Sequence, residues 1–166
     1  MQMKNFLGPL ILLVLLTGAV ISIDINNASA QDQKNQVQTQ SQNVSQYINL
    51  TNAYWSYYNE DLSSSSQVIA DFVHNNLTRQ NALEAITPIF ILESQIADAI
   101  QKITPPDKYL DYHNNMVNSI VSMQAYLLSL MKFYETGKTG YAVEASELFN
   151  KSIEFHDKAI ESQILK

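Results

Sequence analysis

The sequence predicts an all-α protein: an up-down-up-down antiparallel four-helix bundle preceded by a signal peptide and a disordered tether. Apolar side chains recur at three- and four-residue steps through most of the chain beyond residue 43, which is the period of an amphipathic helix. Glycine and proline number only four each, so few breakers remain for a fold of strands and turns. A chain of 166 residues is long enough for one such domain.

Charge and cysteine content exclude several classes of function. The formal net charge is −6 and the ten Lys and Arg residues are scattered singly, so no basic stripe is present to neutralise phosphates. Nucleic acid and anionic membrane surfaces are therefore not expected partners. Cysteine is absent, which excludes disulfides, thiolate metal sites and a cysteine nucleophile. An apolar core must hold the domain together.

The N-terminus has the features of an export signal over residues 1–30. Lys4 supplies a positive charge, residues 6–23 form an apolar run, and Ala28-Ser29-Ala30 matches a cleavage site. We therefore predict a secreted, extracytoplasmic protein. The alternative is an uncleaved anchor that leaves the protein membrane-anchored and facing outside, since the apolar run is just long enough to span a bilayer.

Residues 31–43 are almost entirely polar and predict a disordered linker, because they offer too little apolar surface to offset the entropy of ordering. Asn-x-Ser/Thr sequons in the rest of the chain offer glycosylation sites if the host has the machinery; they begin at Asn43, Asn49, Asn76 and Asn150.

The first two helices are predicted over residues 44–76 and 79–103. The apolar stripe of the first runs from Ile48 to Val73, and its weakest part is the serine run 63–66, where a break is the alternative. Thr78 is a plausible N-cap for the second helix. Pro88 predicts a kink within that helix.

The third and fourth helices are predicted over residues 105–136 and 141–165. Thr104-Pro105-Pro106 places a capping side chain and a proline where a helix begins, and Asp107 falls in the positive first turn. Gly137 and Gly140 separate the last two helices. Junctions this short make consecutive helices antiparallel neighbours.

No cofactor, metal site or catalytic centre is predicted. The three histidines fall at three different heights of such a bundle, so they cannot share a metal ion, and Asp71-x-x-His74 is a single incomplete copy of a carboxylate-histidine metal motif. Axial haem ligands would have to face one another across the core, whereas the Met residues are spaced as core packing. No nucleophile elbow, zinc motif or Gly-rich phosphate loop occurs. We therefore predict that the protein is not an enzyme.

Glu93 and His113 are the candidate buried polar pair. Both lie on predicted core stripes of neighbouring helices. They also lie at similar heights, because they are a similar number of residues away from the junction between helices two and three. An ion pair or hydrogen bond between them would fix the helix register; ligand or proton chemistry is the alternative.

Six aromatic side chains form the candidate surface for a partner or ligand: Tyr54, Trp55, Tyr57, Tyr58, Tyr109 and Tyr112. The first four are too closely spaced for one helix face, and all six fall at one end of the bundle. Packing at the bundle end is the alternative explanation.

The stretch Ile103-Thr104-Pro105-Pro106, with His113 seven residues after the second proline, resembles a T-P-P-x6-H helix start in uncharacterised small exported four-helix-bundle proteins of bacteria and archaea. The resemblance covers about a third of the chain. It implies a four-helix extracytoplasmic domain, and it implies no activity because none is assigned to that group.

The sequence therefore predicts a secreted or cell-surface bundle with a non-enzymatic binding or structural role and an unknown protein or small-molecule partner. The alternatives are a bundle that binds a small ligand or a metal ion, and a sensor domain anchored by an uncleaved N-terminal segment.

Overall fold

The computed structural model describes the backbone of residues 30–164 and the side chains of residues 43–163. Within that range the chain is all-α, as predicted, with four helices: α1 Ala30–Val73, α2 Arg79–Ile100, α3 Leu110–Thr136 and α4 Thr139–Ile164. Apart from Ala30, the predicted signal peptide or anchor lies outside the described residues. The chain divides into two compact units, residues 1–38 and 39–166, and the contacts described below belong to the second. None of the described helices carries an apolar stretch of the length that crossing a bilayer requires.

The predicted tether over 31–43 is helical in the structure, because α1 already begins at Ala30. The prediction counted only the lack of apolar surface. This stretch contains no glycine or proline and is rich in glutamine, which has a good intrinsic helix propensity. It therefore extends the amphipathic helix that follows. The same helix runs through the serine run 63–66 without the predicted alternative of a break.

The turn between α1 and α2 is built from local hydrogen bonds. Asn75 adopts a left-handed conformation (φ 59°), and the backbone N–H groups of Asn76 and Leu77 donate to the carbonyl of Asp71. This is the way in which many helices end. Thr78 then caps α2 as predicted, since its side-chain oxygen accepts from the N–H of Asn81 at 3.2 Å. Pro88 lies inside α2, and the helix continues on both sides of it.

The junction between α2 and α3 is longer than predicted. Helix α2 ends at Ile100 instead of 103, and a single 3₁₀ turn over Asp107–Tyr109 precedes the start of α3 at Leu110. Pro105 cannot begin the helix, because a residue that precedes a proline is disfavoured in the α conformation. Pro106 is itself extended (ψ 143°) and takes the capping position of the 3₁₀ turn.

Gly137 ends α3 in the left-handed conformation (φ 71°), as the sequence predicted. A Cβ atom at this position would also collide with the guanidinium of Arg79. We expect Gly137→Ala to lower the free energy of unfolding by about 1 kcal/mol, since an L-residue is strained in this conformation while the long Arg79 side chain can move aside. Urea denaturation measures this change. Gly140→Ala is the control, because nothing lies within 4 Å of a Cβ at that position and the cost should vanish.

Side-chain contacts join residues of different helices in a regular order. Along α1 and α3 the contacting residues rise together in number, from Tyr47 with His113 to Phe72 with Phe133. Along α3 and α4 the contacting residues run in opposite order, from Asn115 with Ser162 to Tyr126 with Phe149. Helices α3 and α4 approach most closely, whereas α1 meets them through long aromatic side chains.

Most predicted core positions are buried or half-buried, with two exceptions at helix ends. Val73 is 65% exposed and Leu110 is 51% exposed, although the three- and four-residue spacing of apolar side chains places both on the core stripes of their helices. Val73 is the last residue of α1 and Leu110 the first of α3. No neighbouring turn of helix covers them there, so periodicity alone overestimates burial at such positions.

Candidate functional site

A layer of polar side chains crosses the middle of the apolar core. Ser119 of α3 and Ser152 of α4 are fully buried, and each hydroxyl donates to the main-chain carbonyl of the other residue, at 2.9 and 2.8 Å. The Ser152 hydroxyl also bonds to that of Tyr58 on α1 at 2.9 Å. Three helices therefore meet at one small side chain, and every hydroxyl there has a partner.

Asp61 and Glu93 form a buried acid pair within this layer. Asp61 of α1 is 4% exposed and Glu93 of α2 is completely buried. Both carboxyl oxygens of Glu93 and Oδ2 of Asp61 lack a hydrogen-bond partner as carboxylates. The two side chains are nevertheless close enough to hydrogen-bond to each other once one of them carries a proton. A shared proton would therefore satisfy groups that are otherwise costly to bury.

Burial raises the pKa of both carboxyl groups. The pKa of Glu93 rises to about 9, because the protein removes the carboxyl from water and because Asp61 bonds to its neutral form and repels its charged form. Burial raises the pKa of Asp61 to about 6, against the bond from Glu93, which favours the ionised form of Asp61. At neutral pH the proton therefore resides on Glu93, which donates to the Asp61 carboxylate.

The predicted pairing of Glu93 with His113 is wrong, although both side chains are buried. Neither carboxyl oxygen of Glu93 has a hydrogen-bond partner, and the Nδ1 of His113 bonds to the hydroxyl of Tyr47 at 3.2 Å. Because the junction is longer than predicted, counting equal numbers of residues from it places Glu93 at the height of about residue 117 of α3, one helical turn from His113. The same count from the turn between α1 and α2 places Glu93 at the height of about residue 59, close to Asp61.

His113 has the surroundings of a core histidine. It is 5% exposed and packs against the ring of Tyr47 at a centroid distance of 5.9 Å. Burial lowers the pKa of its imidazole, so the ring stays neutral in the folded protein at neutral pH.

The aromatic group predicted as a partner surface lies mostly in the core. Four of its members are buried and two are half-buried; the buried ones are Tyr54, Trp55, Tyr58 and Tyr112. The structure does bring the two predicted groups together, since the indole N–H of Trp55 donates to the Tyr112 hydroxyl at 2.8 Å. His156 completes the cluster by stacking on Tyr58 at 5.6 Å. Packing, the alternative explanation, accounts for the four buried residues, but it is not confined to the bundle end, because Tyr58 belongs to the polar layer in the middle of the core.

A groove at the opposite end of the bundle was not predicted. It has a volume of about 410 Å³ and lies between α1, α3 and α4. Every side chain that lines it is uncharged: Ser66, Ile69, Phe72, Val73, Tyr126, Leu130, Phe133, Tyr134, Ala142, Ala145, Ser146 and Phe149. The rings stand edge to face, as in Phe72 with Tyr134 at 5.1 Å. Such a wall offers apolar contact area without a fixed charge.

The remaining candidate groups are the acidic and histidine side chains and the sequon asparagines. Among residues 30–164, no three histidine or acidic side chains converge in a way that could hold a metal ion. Asp71 accepts hydrogen bonds from Gln67 and Asn76, while His74 is exposed. The four sequon asparagines are all exposed: Asn43, Asn49, Asn76 and Asn150.

Two of the features that sequence reasoning missed, the acid pair and the groove, have traces in the sequence. Asp61 lies three residues after Tyr58 and four before Ser65, so its spacing places it on the core stripe of α1 even though its charge suggests solvent. The groove combines stripe residues of three helices. Small residues at 142, 145 and 146 oppose large rings, but only the packed structure shows that space remains between them.

Comparison with protein-family models, with curated proteins and with solved structures finds no match for this chain.

Proposed function

We propose that this protein is an exported, non-enzymatic up-down-up-down bundle that binds a small, neutral, apolar molecule in the groove between α1, α3 and α4. The observation that carries the proposal is the uncharged aromatic and aliphatic lining of a groove of about 410 Å³. Sites for small molecules in proteins have volumes of about 300 to 1,000 Å³ and are lined mainly by apolar side chains.

The chemistry of the lining defines the class of ligand. No lining residue carries a charge, so a charged molecule would lose its hydration without gaining an ionic partner. The Phe and Tyr rings favour flat or aliphatic surfaces. The hydroxyl groups at the groove, such as those of Ser66 and Ser146, suit a ligand with few polar atoms.

Export is supported by the sequence of residues 1–30 and by the T-P-P-x6-H resemblance, both of which predict an extracytoplasmic domain. The order of side-chain contacts along α1, α3 and α4 supports the antiparallel topology. A soluble carrier or sensor of apolar molecules is a role that such a domain performs without catalysis.

The proposal predicts that the neutral dye N-phenyl-1-naphthylamine binds in the groove with enhanced fluorescence. Ser146→Trp should weaken this binding by about ten-fold or more, because an indole at this exposed lining position fills the groove. Ser63→Trp is the matched control, since Ser63 is exposed on α1 and does not line the groove. Fluorescence titration measures both affinities.

Equal dye affinity in the two variants would contradict a site in the groove, provided that both melt at the temperature of the parent protein. Mass spectrometry of an organic extract of the protein from its own host then identifies the natural ligand. The proposal would be contradicted if extracts of the parent protein and of the Ser146→Trp protein contained the same apolar molecules in the same amounts.

A further inference from the structure

We propose that Asp61 and Glu93 form a binding site for a single proton that joins helix α1 to helix α2, and that α1 loosens when this proton leaves. The proposal does not depend on the groove or on its ligand.

The geometry of the acid pair points to a small cation between two carboxylates. Three carboxylate oxygens, one on Asp61 and two on Glu93, are buried without a partner. Neither residue takes part in an ion pair with a lysine, arginine or histidine among the described residues. A proton resolves this arrangement because it neutralises one charge and turns one carboxyl into a donor for the other.

A metal ion is a poorer occupant of the same position. Calcium takes six to eight oxygen ligands and magnesium takes six, whereas two carboxyl groups from two helices supply at most four oxygens. Within the described part of the chain, no third acidic or histidine side chain joins them.

The neighbours of the pair do not provide a compensating charge. On α1, Glu60 acts on Asp61 with the same sign, and Tyr58 lies near enough to Glu93 to feel its charge. Ser119 of α3 and Ser152 of α4 reach Tyr58 as neutral hydroxyl groups. His156 of α4 stacks on Tyr58, and Asp157 adds negative charge. A second ionisation would therefore leave two like charges together in the core.

Helix α1 is the element that should respond. Close backbone approaches join α2 to α3 and α3 to α4. Helix α1 contacts α3 and α4 through aromatic rings and hydroxyl groups. Among the described residues, its polar contact with α2 is the one between Asp61 and Glu93. Repulsion between Asp61 and Glu93 acts directly on that link.

The test follows the stability of the exported protein between pH 7 and pH 9. A carboxyl whose pKa is raised in the folded state stabilises the fold fully below its unfolded value of 4.5 and loses that contribution as the pH rises to about 9. The lowered pKa of His113 affects stability below this window, and burial keeps the pKa of Tyr58 above its ordinary value of 10. Glu93 is thus the buried group that titrates within the window.

We expect the melting temperature of the parent protein to fall by several degrees from pH 7 to pH 9. Over the same range the emission of Trp55, the single tryptophan, should shift to longer wavelength, because this buried side chain lies on α1. Glu93→Gln should remove both changes, since the amide donates to Asp61 without a titrating proton. Glu84→Gln, at an exposed position of α2, should behave like the parent protein.

The infrared spectrum of the parent protein at pH 7 should show the band of a protonated carboxyl group, and the spectrum of Glu93→Gln should lack it.

Two results would overturn the proposal. One is a parent protein whose melting temperature and Trp55 emission do not change between pH 7 and pH 9, or change equally in Glu93→Gln. The other is a strong rise in melting temperature with Ca²⁺, Mg²⁺ or Mn²⁺ that Glu93→Gln abolishes, which would assign the pair to a metal ion. Asp61→Asn repeats the test from the other side if Glu93→Gln does not fold.

Discussion

Replacing Ser152 with valine is expected to lower the free energy of unfolding by about 4 kcal/mol, a large part of the 5 to 15 kcal/mol that stabilises a typical domain. Two costs add up at this position. Valine removes the hydroxyl that bonds to Tyr58 and donates to the carbonyl of Ser119. It also adds volume between α3 and α4, which have the closest backbone approach of any described helix pair, at a position where Ser152 is completely buried.

Ser152→Ala separates the two costs, because it removes the hydroxyl without adding bulk. We expect it to lower the free energy of unfolding by about 2 kcal/mol, the cost of leaving the buried Tyr58 hydroxyl without its bond. Ser63→Val is the control for the substitution itself, since Ser63 is exposed on α1. Denaturation in urea at pH 7 compares the variants. A Ser152→Val protein as stable as Ser63→Val would show that α3 and α4 do not pack through this serine.

The serine layer shows how far the sequence alone could lead. Apolar periodicity predicts four helices correctly, because each helix must bury one stripe and the stripe repeats many times along the chain. Ser119 and Ser152 do not stand out in such a pattern, since serine is common on helix surfaces. Their role depends on the partner that each one meets, and that partner lies 33 residues away in the chain.

The acid pair was missed for a related reason. Reflecting residue numbers through a turn gives the height of a residue, but it does not give the direction in which its side chain points. The sequence pairs Glu93 with His113 because both lie on core stripes and at similar heights, but the junction between their helices is longer in the structure than predicted. The partner in the structure, Asp61, lies at a suitable height on the other neighbouring helix, but an acidic side chain is seldom fully buried and so does not stand out as a core position.

The prediction of a disordered tether was wrong because it considered only the apolar surface of these residues. Residues 31–43 have no apolar face, and the prediction inferred disorder from that lack. Helix formation, however, requires only a sequence without breakers that is attached to an existing helix, because adding a residue to a formed helix is much easier than nucleating a new one.

The double substitution Asp61→Val with Glu93→Leu is expected to raise the free energy of unfolding by about 2 kcal/mol at pH 8. Among the described residues, no lysine, arginine or histidine forms an ion pair with these carboxyl groups, whereas apolar side chains of similar volume need no such compensation. At pH 5 the gain should shrink towards zero. Below the raised pKa values of about 6 and 9, the parent protein keeps its carboxyl groups protonated at little cost.

The single variants make this prediction specific to the pair. Glu93→Leu alone leaves Asp61 buried without its donor, so it should gain less at pH 8 than the double variant. Urea denaturation of the three variants and the parent protein at both pH values completes the cycle. A double variant that is less stable than the parent at pH 8 would mean that the acid pair holds the bundle together even when it ionises. The opposite outcome is a double variant that is more stable than the parent and whose free energy of unfolding no longer changes with pH. It would mean that the acid pair makes the stability of the fold depend on pH and lowers that stability.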